Sequence, residues 1–139
     1  MLATSESLPV AIVAESDEET RGLIRSLLEL LGFAVVEAND GEEVYQSAVC
    51  YHPHLILMEL QLPAVNDVAA IRRIRRDSDL SKVPIIVTSS SKKKANQRLA
   101  LAAGCTAHLA KPIEFDRLES VVENLVPCDR LSMVSFLIH

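Results

Sequence analysis

The chain has 139 residues, of which 49% are hydrophobic and 24% charged, and its formal net charge is −5 at pH 7. This size and composition predict one globular domain with one hydrophobic core and exclude a disordered chain. The acidic balance argues against direct nucleic-acid binding, which needs a basic face. Apolar stretches fall well short of the ~20 residues of a membrane helix, and residues 1–8 lack a signal-peptide pattern. We therefore expect a cytoplasmic protein without a membrane partner.

Five short, nearly continuous apolar runs alternate with stretches of helical spacing. The runs are Val10–Ala14, Phe33–Glu37, Leu55–Met58, Val83–Val87 and Ala107–Ala110. Apolar runs without polar alternation are typical of parallel strands buried on both faces. Capping residues that precede the helical stretches are Ser16, Asp40, Asn66 and Ser91, and glycines stand at two expected helix ends, Gly32 and Gly104.

The alternation predicts an α/β domain, (βα)5, with a doubly wound parallel sheet over residues 9–126. Residues 1–8 form an N-terminal extension. Residues 127–139 form an apolar tail that could be a linker, a packing strand or an oligomerisation segment. In such folds the working site lies at the carboxyl ends of the strands. The polar residues expected there are Glu15, Ser16, Asp17, Glu59, Thr88 and Lys111.

Three cysteines, Cys50, Cys105 and Cys128, match neither a zinc pattern nor a disulfide framework. We expect reduced thiols that mostly behave as small buried apolar residues.

Four segments in order carry a family resemblance: Ile12–Asp17, Leu55–Pro63, Pro84–Ser89 and Ala103–Pro112. Together they resemble the receiver domains of two-component response regulators, over residues 10–126. The resemblance implies a flavodoxin-like sheet of strand order 2-1-3-4-5 and a role in phosphorelay signal transduction. A working receiver takes a phosphoryl group from a histidine kinase onto its own aspartate, with Mg²⁺ held by neighbouring carboxylates, a lysine and a switch hydroxyl.

In that pattern Lys111 and Thr88 match the lysine and the hydroxyl, whereas Glu59 stands at the acceptor position. Glu15 and Ser16 stand at the acidic pair, so the principal metal-ligating aspartate is replaced by serine. A glutamate carboxylate lies one bond further out, about 1.5 Å, and misplacement of about 1 Å can cost ~10²-fold in rate. We therefore predict no enzymatic activity and no cofactor.

Magnesium binding is expected to be weak or absent, with Glu15, Asp17 and Glu59 as its only weak candidates. Asp17 is interpreted first as an acid favourable at a helix N-terminus. Glu59 is expected to pair with Lys111 and to accept a bond from Thr88. It then either imitates the phosphorylated state or merely fills the site as a buried ion pair.

These departures predict a pseudo-receiver, a phosphorylation-independent interaction module that binds a histidine kinase or a downstream effector. The alternative is a phosphorylatable receiver in which Glu59, native or engineered, is a phosphomimetic. A nucleotide binder on the same topology would need a glycine-rich phosphate loop, and none is visible. A homodimer is possible through the face of the fourth helix, fifth strand and fifth helix, or through the apolar tail.

Further expectations concern residues around this site. His108 occupies the position of the aromatic switch residue, with a solvent-edge histidine as the alternative. Asp67 replaces a common loop glycine, which suggests either a changed loop or a residue in a left-handed conformation. Pro112 is expected to follow a cis peptide bond. Two basic clusters are interpreted as solvated faces, the second of which could instead steer an acidic partner: Arg72, Arg73, Arg75 and Arg76, and Lys92, Lys93 and Lys94.

Overall fold

The computed structural model describes residues 8–60, 65–90 and 94–126. The strands are β1 Val10–Ala14, β2 Ala34–Glu37, β3 Leu55–Glu59, β4 Ile85–Ser89 and β5 Ala107–Ala110. The helices are α1 Glu18–Leu30, α2 Gly41–Tyr51, α3 Val65–Arg76, α4 Lys94–Ala103 and α5 Phe115–Leu125. Strand and helix thus alternate five times, as predicted.

The five strands form one parallel sheet of order β2-β1-β3-β4-β5. The predicted α/β, flavodoxin-like, doubly wound fold is confirmed. In register, Glu59 lies beside Thr88 and Ser89 beside Ala110. Glu59 is therefore the last residue of β3, and Thr88 is the penultimate residue of β4. The apolar runs had predicted both residues to lie just after their strands.

Two apolar clusters cover the two faces of the sheet. One contains Ile12, Ile56 and Val87 and packs against α2, α3 and α4. The other contains Val13, Leu57 and Ile86 and packs against α1 and α5. Strand residues therefore contribute alternately to both faces, which explains why their sequences show no polar alternation.

Helix caps correct two of the sequence predictions. Asp17, not Ser16, caps α1, and its carboxylate accepts the backbone N–H of Thr20. Asn66 lies inside α3, which begins one residue earlier. Asp40 caps α2 as predicted, by accepting the backbone N–H of Glu43 at 2.9 Å.

Glycines end two helices, as predicted, since Gly32 and Gly104 have φ values of 101° and 118°.

Some predictions fall on residues outside the described ranges. These are the predictions for Ser91, Cys128, nearly all of the N-terminal extension and the apolar tail. Of the cysteines within the described ranges, Cys50 is exposed and Cys105 buried, and both are free thiols. Burial raises the pKa of the Cys105 thiol to about 11. In the described part of the chain, no helix has the length and apolar character needed to span a membrane.

Candidate functional site

The candidate site lies at the carboxyl edge of the sheet, where β1, β3, β4 and β5 end side by side. Backbone bonds align these ends: Leu60 N donates to Thr88 O at 2.7 Å, and Lys111 N donates to Ser89 O at 2.9 Å. Parallel register therefore brings polar residues from four distant segments together. These are the predicted Glu15, Ser16, Glu59, Thr88 and Lys111.

Lys111 lies between two carboxylates. Its Nζ is 2.8 Å from both oxygens of Glu15, with the hydrogen bond going to Oε2, and 2.6 Å from Oε2 of Glu59. The Glu15 side chain is fully buried, and those of Glu59 and Lys111 are largely so. Burial by itself lowers the pKa of Lys111, but the hydrogen bonds and charges of Glu15 and Glu59 outweigh it and raise that pKa. The predicted Glu59–Lys111 pair is present.

Ser16 holds the other oxygen of Glu59. Its backbone N–H donates to Oε1 at 3.0 Å and its hydroxyl donates to the same oxygen at 2.7 Å. Sequence reasoning assigned Ser16 to a helix cap or to an empty metal position, and did not find this contact. The Glu59 carboxylate is thus held by Lys111 on one oxygen and by Ser16 on the other.

Glu15 also orders the loop after β1. Its Oε2 accepts the backbone N–H of Asp17 at 2.9 Å, while Arg21 donates to its backbone carbonyl at 3.0 Å. The Asp17 carboxylate accepts the N–H and hydroxyl of Thr20 at 2.9 and 2.6 Å. These bonds, that from the Thr20 hydroxyl above all, lower the pKa of Asp17. Asp17 therefore serves α1, as its position at a helix N-terminus indicated.

Thr88 does not make the predicted bond to Glu59. Its side chain is completely buried, and within the described residues its Oγ1 has no hydrogen-bond partner. A buried hydroxyl without a partner is uncommon in native proteins. The hydroxyl at the switch position is therefore present but does not engage the carboxylate.

His108 is not a solvent-edge residue without contacts. Its Nε2 lies 2.8 Å from Oγ of Ser89, a buried residue that sequence reasoning did not single out. Burial lowers the pKa of His108, which favours the neutral ring. Ser89 ends β4 and His108 lies in β5, and these two strands pair with each other. The predicted pairing of the two strands is the feature of the sequence that could have suggested this contact. A switching role for His108 stays a prediction.

The basic cluster on α3 is not one solvated face. Arg75 turns inward and donates to backbone carbonyls of Val83 and Gly104. The Arg73 guanidinium lies 4.0 Å from the centre of the Tyr45 ring and pairs with Glu42. In the second cluster, Lys92 and Lys93 lie outside the described residues, and Lys94 is exposed.

Two smaller predictions have opposite outcomes. Asp67 is a buried residue within α3, so of the two expected possibilities the left-handed conformation is wrong. The Lys111–Pro112 peptide bond is cis, as predicted.

Comparison with known proteins agrees with this geometry. The family model of the response regulator receiver domain matches residues 11–123. The chain belongs to the response regulator receiver domain family. It is thus a module of two-component signalling, and receivers of this family interact with kinases and effectors.

This receiver resembles individual proteins at moderate identity. The polar-differentiation response regulator DivK of Brucella ovis is 28% identical over 113 residues, which are 81% of this chain and 92% of that protein. A receiver domain of a sensor histidine kinase from Pseudomonas aeruginosa PAO1, solved with magnesium in its active-site cleft, is 25% identical. The two structures match with a TM-score of 0.77, and the match covers 88% of this chain and all of the other.

A chemotaxis response regulator of Vibrio cholerae shares the fold, at 18% identity and a TM-score of 0.76, with coverage of 86% and 99%.

Proposed function

We propose that this receiver is a phosphorylation-independent protein-interaction module, a pseudo-receiver without enzymatic activity. The observation that carries the proposal is the Glu59 carboxylate, which accepts hydrogen bonds from Ser16 and from Lys111. An acceptor must present a free oxygen in line with the phosphorus. At Glu59 one oxygen accepts two bonds from Ser16 and the other faces an ammonium group at 2.6 Å.

The donor set at this edge of the sheet does not fit magnesium. Mg²⁺ requires oxygen ligands in near-ideal octahedral geometry. Both oxygens of Glu15 and Oε2 of Glu59 already face Lys111, and Oε1 of Glu59 accepts from Ser16. The Asp17 carboxylate is turned onto Thr20. Ser16 brings no charge. Among the described residues, no group of three His, Cys, Asp or Glu side chains is arranged to hold a metal ion. The proposal therefore includes no magnesium cofactor.

Glu59 serves in this proposal as a static ion pair rather than as an imitation of the phosphorylated state. A phosphoryl group carries about 1.5 to 2 negative charges and three acceptor oxygens, whereas a carboxylate carries one charge. The missing bond from Thr88 supports the static interpretation, because an imitation would engage the switch hydroxyl.

The proposed partner is a signalling protein, either a histidine kinase or a downstream effector, with no direct contact to nucleic acid or membrane. The net charge of −5 supports a protein partner over nucleic acid. The free thiols of Cys50 and Cys105 support a cytoplasmic location, where thiols stay reduced.

A homodimer through α4, β5 and α5 is a second part of the proposal. Leu99 and Leu101 on α4 are 45% and 46% exposed. We expect light scattering to show concentration-dependent dimerisation that Leu99→Ser with Leu101→Ser abolishes. The matched change on α2, Val49→Ser with Tyr51→Ser, should leave it intact. A monomer at all concentrations, or equal effects of both pairs, would contradict this interface.

The phosphorylation proposal is tested with Mg²⁺ and the small phosphodonor phosphoramidate, followed by intact mass measurement. We expect no phosphate adduct on the native chain. We expect a phosphate adduct on the double variant Ser16→Asp with Glu59→Asp. This variant has aspartate at both positions, as in the family pattern, and keeps Lys111 and Thr88.

Two outcomes would favour the alternative, a phosphorylatable receiver carrying a phosphomimetic residue. One is a stoichiometric adduct on the native chain that Glu59→Gln removes. The other is an adduct after Glu59→Asp alone, because Ser16 would then not impair the site.

A further inference from the structure

Most of the exposed cations in the described part of the chain lie on two neighbouring helices, α3 and α4. α3 contains four arginines and one acid, the buried Asp67, and α4 contains two cations and no acid. In α1 and α5, by contrast, acidic residues outnumber basic ones. The chain as a whole has a net charge of −5. The two helices therefore form a local basic surface on an acidic protein.

Some surface arginines of the fold are neutralised by carboxylates, and others are not. Arg25 and Arg73 each pair with a glutamate of another element. Within the described residues, Arg72, Arg76 and Arg98 make no ion pair, and all three are exposed. The basic surface of α3 and α4 therefore carries guanidinium groups that the fold itself does not use.

The positions of contact residues show which flank of α3 faces α4. On this side of the sheet, residues that directly follow a buried position face the next helix along the chain. Tyr45 of α2 thus lies against α3, and Arg75 of α3 donates to a carbonyl just after α4. Arg72 follows the buried Ile71 and is therefore on the flank toward α4. Arg76 lies one turn further along, at the outer edge of that flank.

The flank of α4 that faces α3 is apolar. α3 and α4 both follow strands of a parallel sheet and cover the same face, so they run in the same direction. Residues directly before a buried position face back toward the preceding helix, as Arg73 shows by pairing with Glu42 of α2. On α4 these residues are Ala95, Leu99 and Ala102, all exposed, and Leu99 is 45% exposed. The groove therefore has arginines on one wall and a leucine between small side chains on the other.

Helix stability does not explain where these cations stand. The dipole favours Arg76 in the last turn of α3, but it disfavours Lys94 at the first position of α4. Arg72 and Arg98 lie outside the terminal turns, where the dipole has little effect. Positive charge placed without benefit to its own helices is the pattern expected of a recognition surface.

We propose that the groove between α3 and α4 docks an acidic amphipathic helix of a partner protein. Arg72 and Arg76 are four residues apart, about 6 Å along the helix axis. A partner helix that lies along the groove has the same rise, so two of its carboxylates four residues apart match the two guanidinium groups. Arginine suits this contact because its planar fork binds a carboxylate through two hydrogen bonds. Apolar side chains of the partner helix then lie against Leu99.

The shape and chemistry of the groove favour a protein helix over other acidic macromolecules. Packed helices lie about 8–10 Å apart, so a third helix can contact both. The small side chains of Ala95 and Ala102 permit close approach. A nucleic acid presents phosphates but no apolar stripe for Leu99, and the net charge of −5 repels it. A flat anionic membrane would touch the outer cations without entering the groove.

This inference deepens the proposed function, on which it rests only in assigning the contact to a signalling partner. Neither Arg72 nor Leu99 contributes a hydrogen bond to the Glu59–Lys111 pair. A phosphate adduct on the native chain would therefore contradict the pseudo-receiver and leave the groove contact intact. Failure of the groove contact would leave the absence of an adduct unchanged.

The test is a titration of the ¹⁵N-labelled full-length chain with a synthetic helical peptide, followed by amide NMR. The peptide carries leucines at helical spacing on one face and, on the flank beside them, two glutamates four residues apart. We expect shift changes at Arg72, Arg76 and Leu99, with the signals of α1 and α5 unchanged. Absence of binding, or shift changes confined to other helices, overturns the proposal.

A matched pair of arginine variants controls the site of contact. Arg72→Glu should weaken peptide binding at least about tenfold, because it replaces attraction with repulsion in the groove. Arg117 on α5 is likewise exposed and makes no ion pair within the described ranges. Arg117→Glu should therefore change the affinity by less than about twofold. Equal effects of the two variants would show attraction to net charge alone and would overturn the proposal.

An exchange of charges tests the pairing directly. Arg72→Glu with Arg76→Glu changes two exposed residues, which the fold tolerates. A second peptide, with lysines in place of the two glutamates, should bind this double variant and not the native chain. Such binding also shows that the variant is folded. If the lysine peptide binds neither chain, or binds both equally, the assigned pairs are wrong.

Three further samples distinguish other occupants of the groove. A single-stranded oligonucleotide and phosphatidylglycerol vesicles should neither shift Leu99 nor displace the glutamate peptide. Displacement of the peptide by either of them would overturn a protein partner in favour of that class. The chain alone, concentrated without peptide, should show no shift at Arg72 and Arg76. Shifts there would identify a second copy of the chain as the occupant and would overturn the proposal.

Discussion

Lys111 is the residue on which the charge balance of the site depends. It is the shared counter-ion of Glu15 and Glu59, and both carboxylates are removed from bulk water. Two adjacent buried carboxylates without a cation would repel each other and lose solvation. Ser16 lessens this cost only on Glu59, whose Oε1 accepts its two hydrogen bonds.

Replacing Lys111 with Met should therefore lower the free energy of unfolding by about 3 kcal/mol, because the carboxylates remain buried without their partner. Urea titration measures this loss. Lys94→Met, at an exposed lysine, is the matched control and should change stability by less than about 0.5 kcal/mol. Adding Glu59→Gln to Lys111→Met should restore part of the loss. Equal effects of the two lysine variants would contradict the role assigned to the ion pair.

Arg75 acts between secondary-structure elements. From α3 its guanidinium donates to Val83 O at 2.7 Å before β4, to Gly104 O at 2.8 Å after α4, and to Thr106 Oγ1 at 3.2 Å before β5. A Cβ at Gly104 would lie 2.8 Å from Cγ of Arg75. Together with its positive φ, this close approach explains the glycine at the end of α4.

Arg75→Met should destabilise the protein by about 2–4 kcal/mol, because several carbonyls lose their donor where water has little access. The neighbouring Arg76→Met removes the same charge from an exposed position and should cost less than about 0.5 kcal/mol. Thermal and urea unfolding of the two variants provide the comparison. Similar losses would show that charge on α3, and not the bonds of Arg75, determines the effect.

At the scale of the whole molecule, the raised pKa of Lys111 couples stability to alkaline pH. In the folded state its pKa lies above the ordinary value of 10.5, so the folded protein binds the proton more tightly than the unfolded chain. The stability contributed by this group is complete below 10.5 and is lost as pH rises through the folded-state pKa.

The difference in unfolding free energy between the native chain and Lys111→Met should thus be constant near neutral pH and shrink above pH 10.5. Urea titrations over this range measure it. Comparing the two chains cancels the titration of tyrosines and other lysines. A difference that stays constant through strongly alkaline pH would contradict the coupling.

The sequence by itself determined the order of strands and helices and which residues reach the carboxyl edge of the sheet. Continuous apolar runs and helical spacing are local patterns, and parallel pairing brings all strand ends to one edge. The charged residues of the site, Glu15, Glu59 and Lys111, were therefore identifiable. The pairing of Glu59 with Lys111 also followed, since opposite charges buried at one edge must neutralise each other.

Only the tertiary structure decided which hydrogen-bond partners the hydroxyl groups of the site and the guanidinium group of Arg75 reach. Ser16 and Glu59 are separated by 43 positions, and Arg75 and Thr106 by 31. Which hydroxyl meets which acceptor depends on the rotamers and strand twist of both segments, and no local pattern records these. Thr88 was expected to bond Glu59 and does not, whereas Ser89, its neighbour on the other face of β4, bonds His108. One residue along a strand reverses the face, so small differences in register decided the hydrogen bonds of the site.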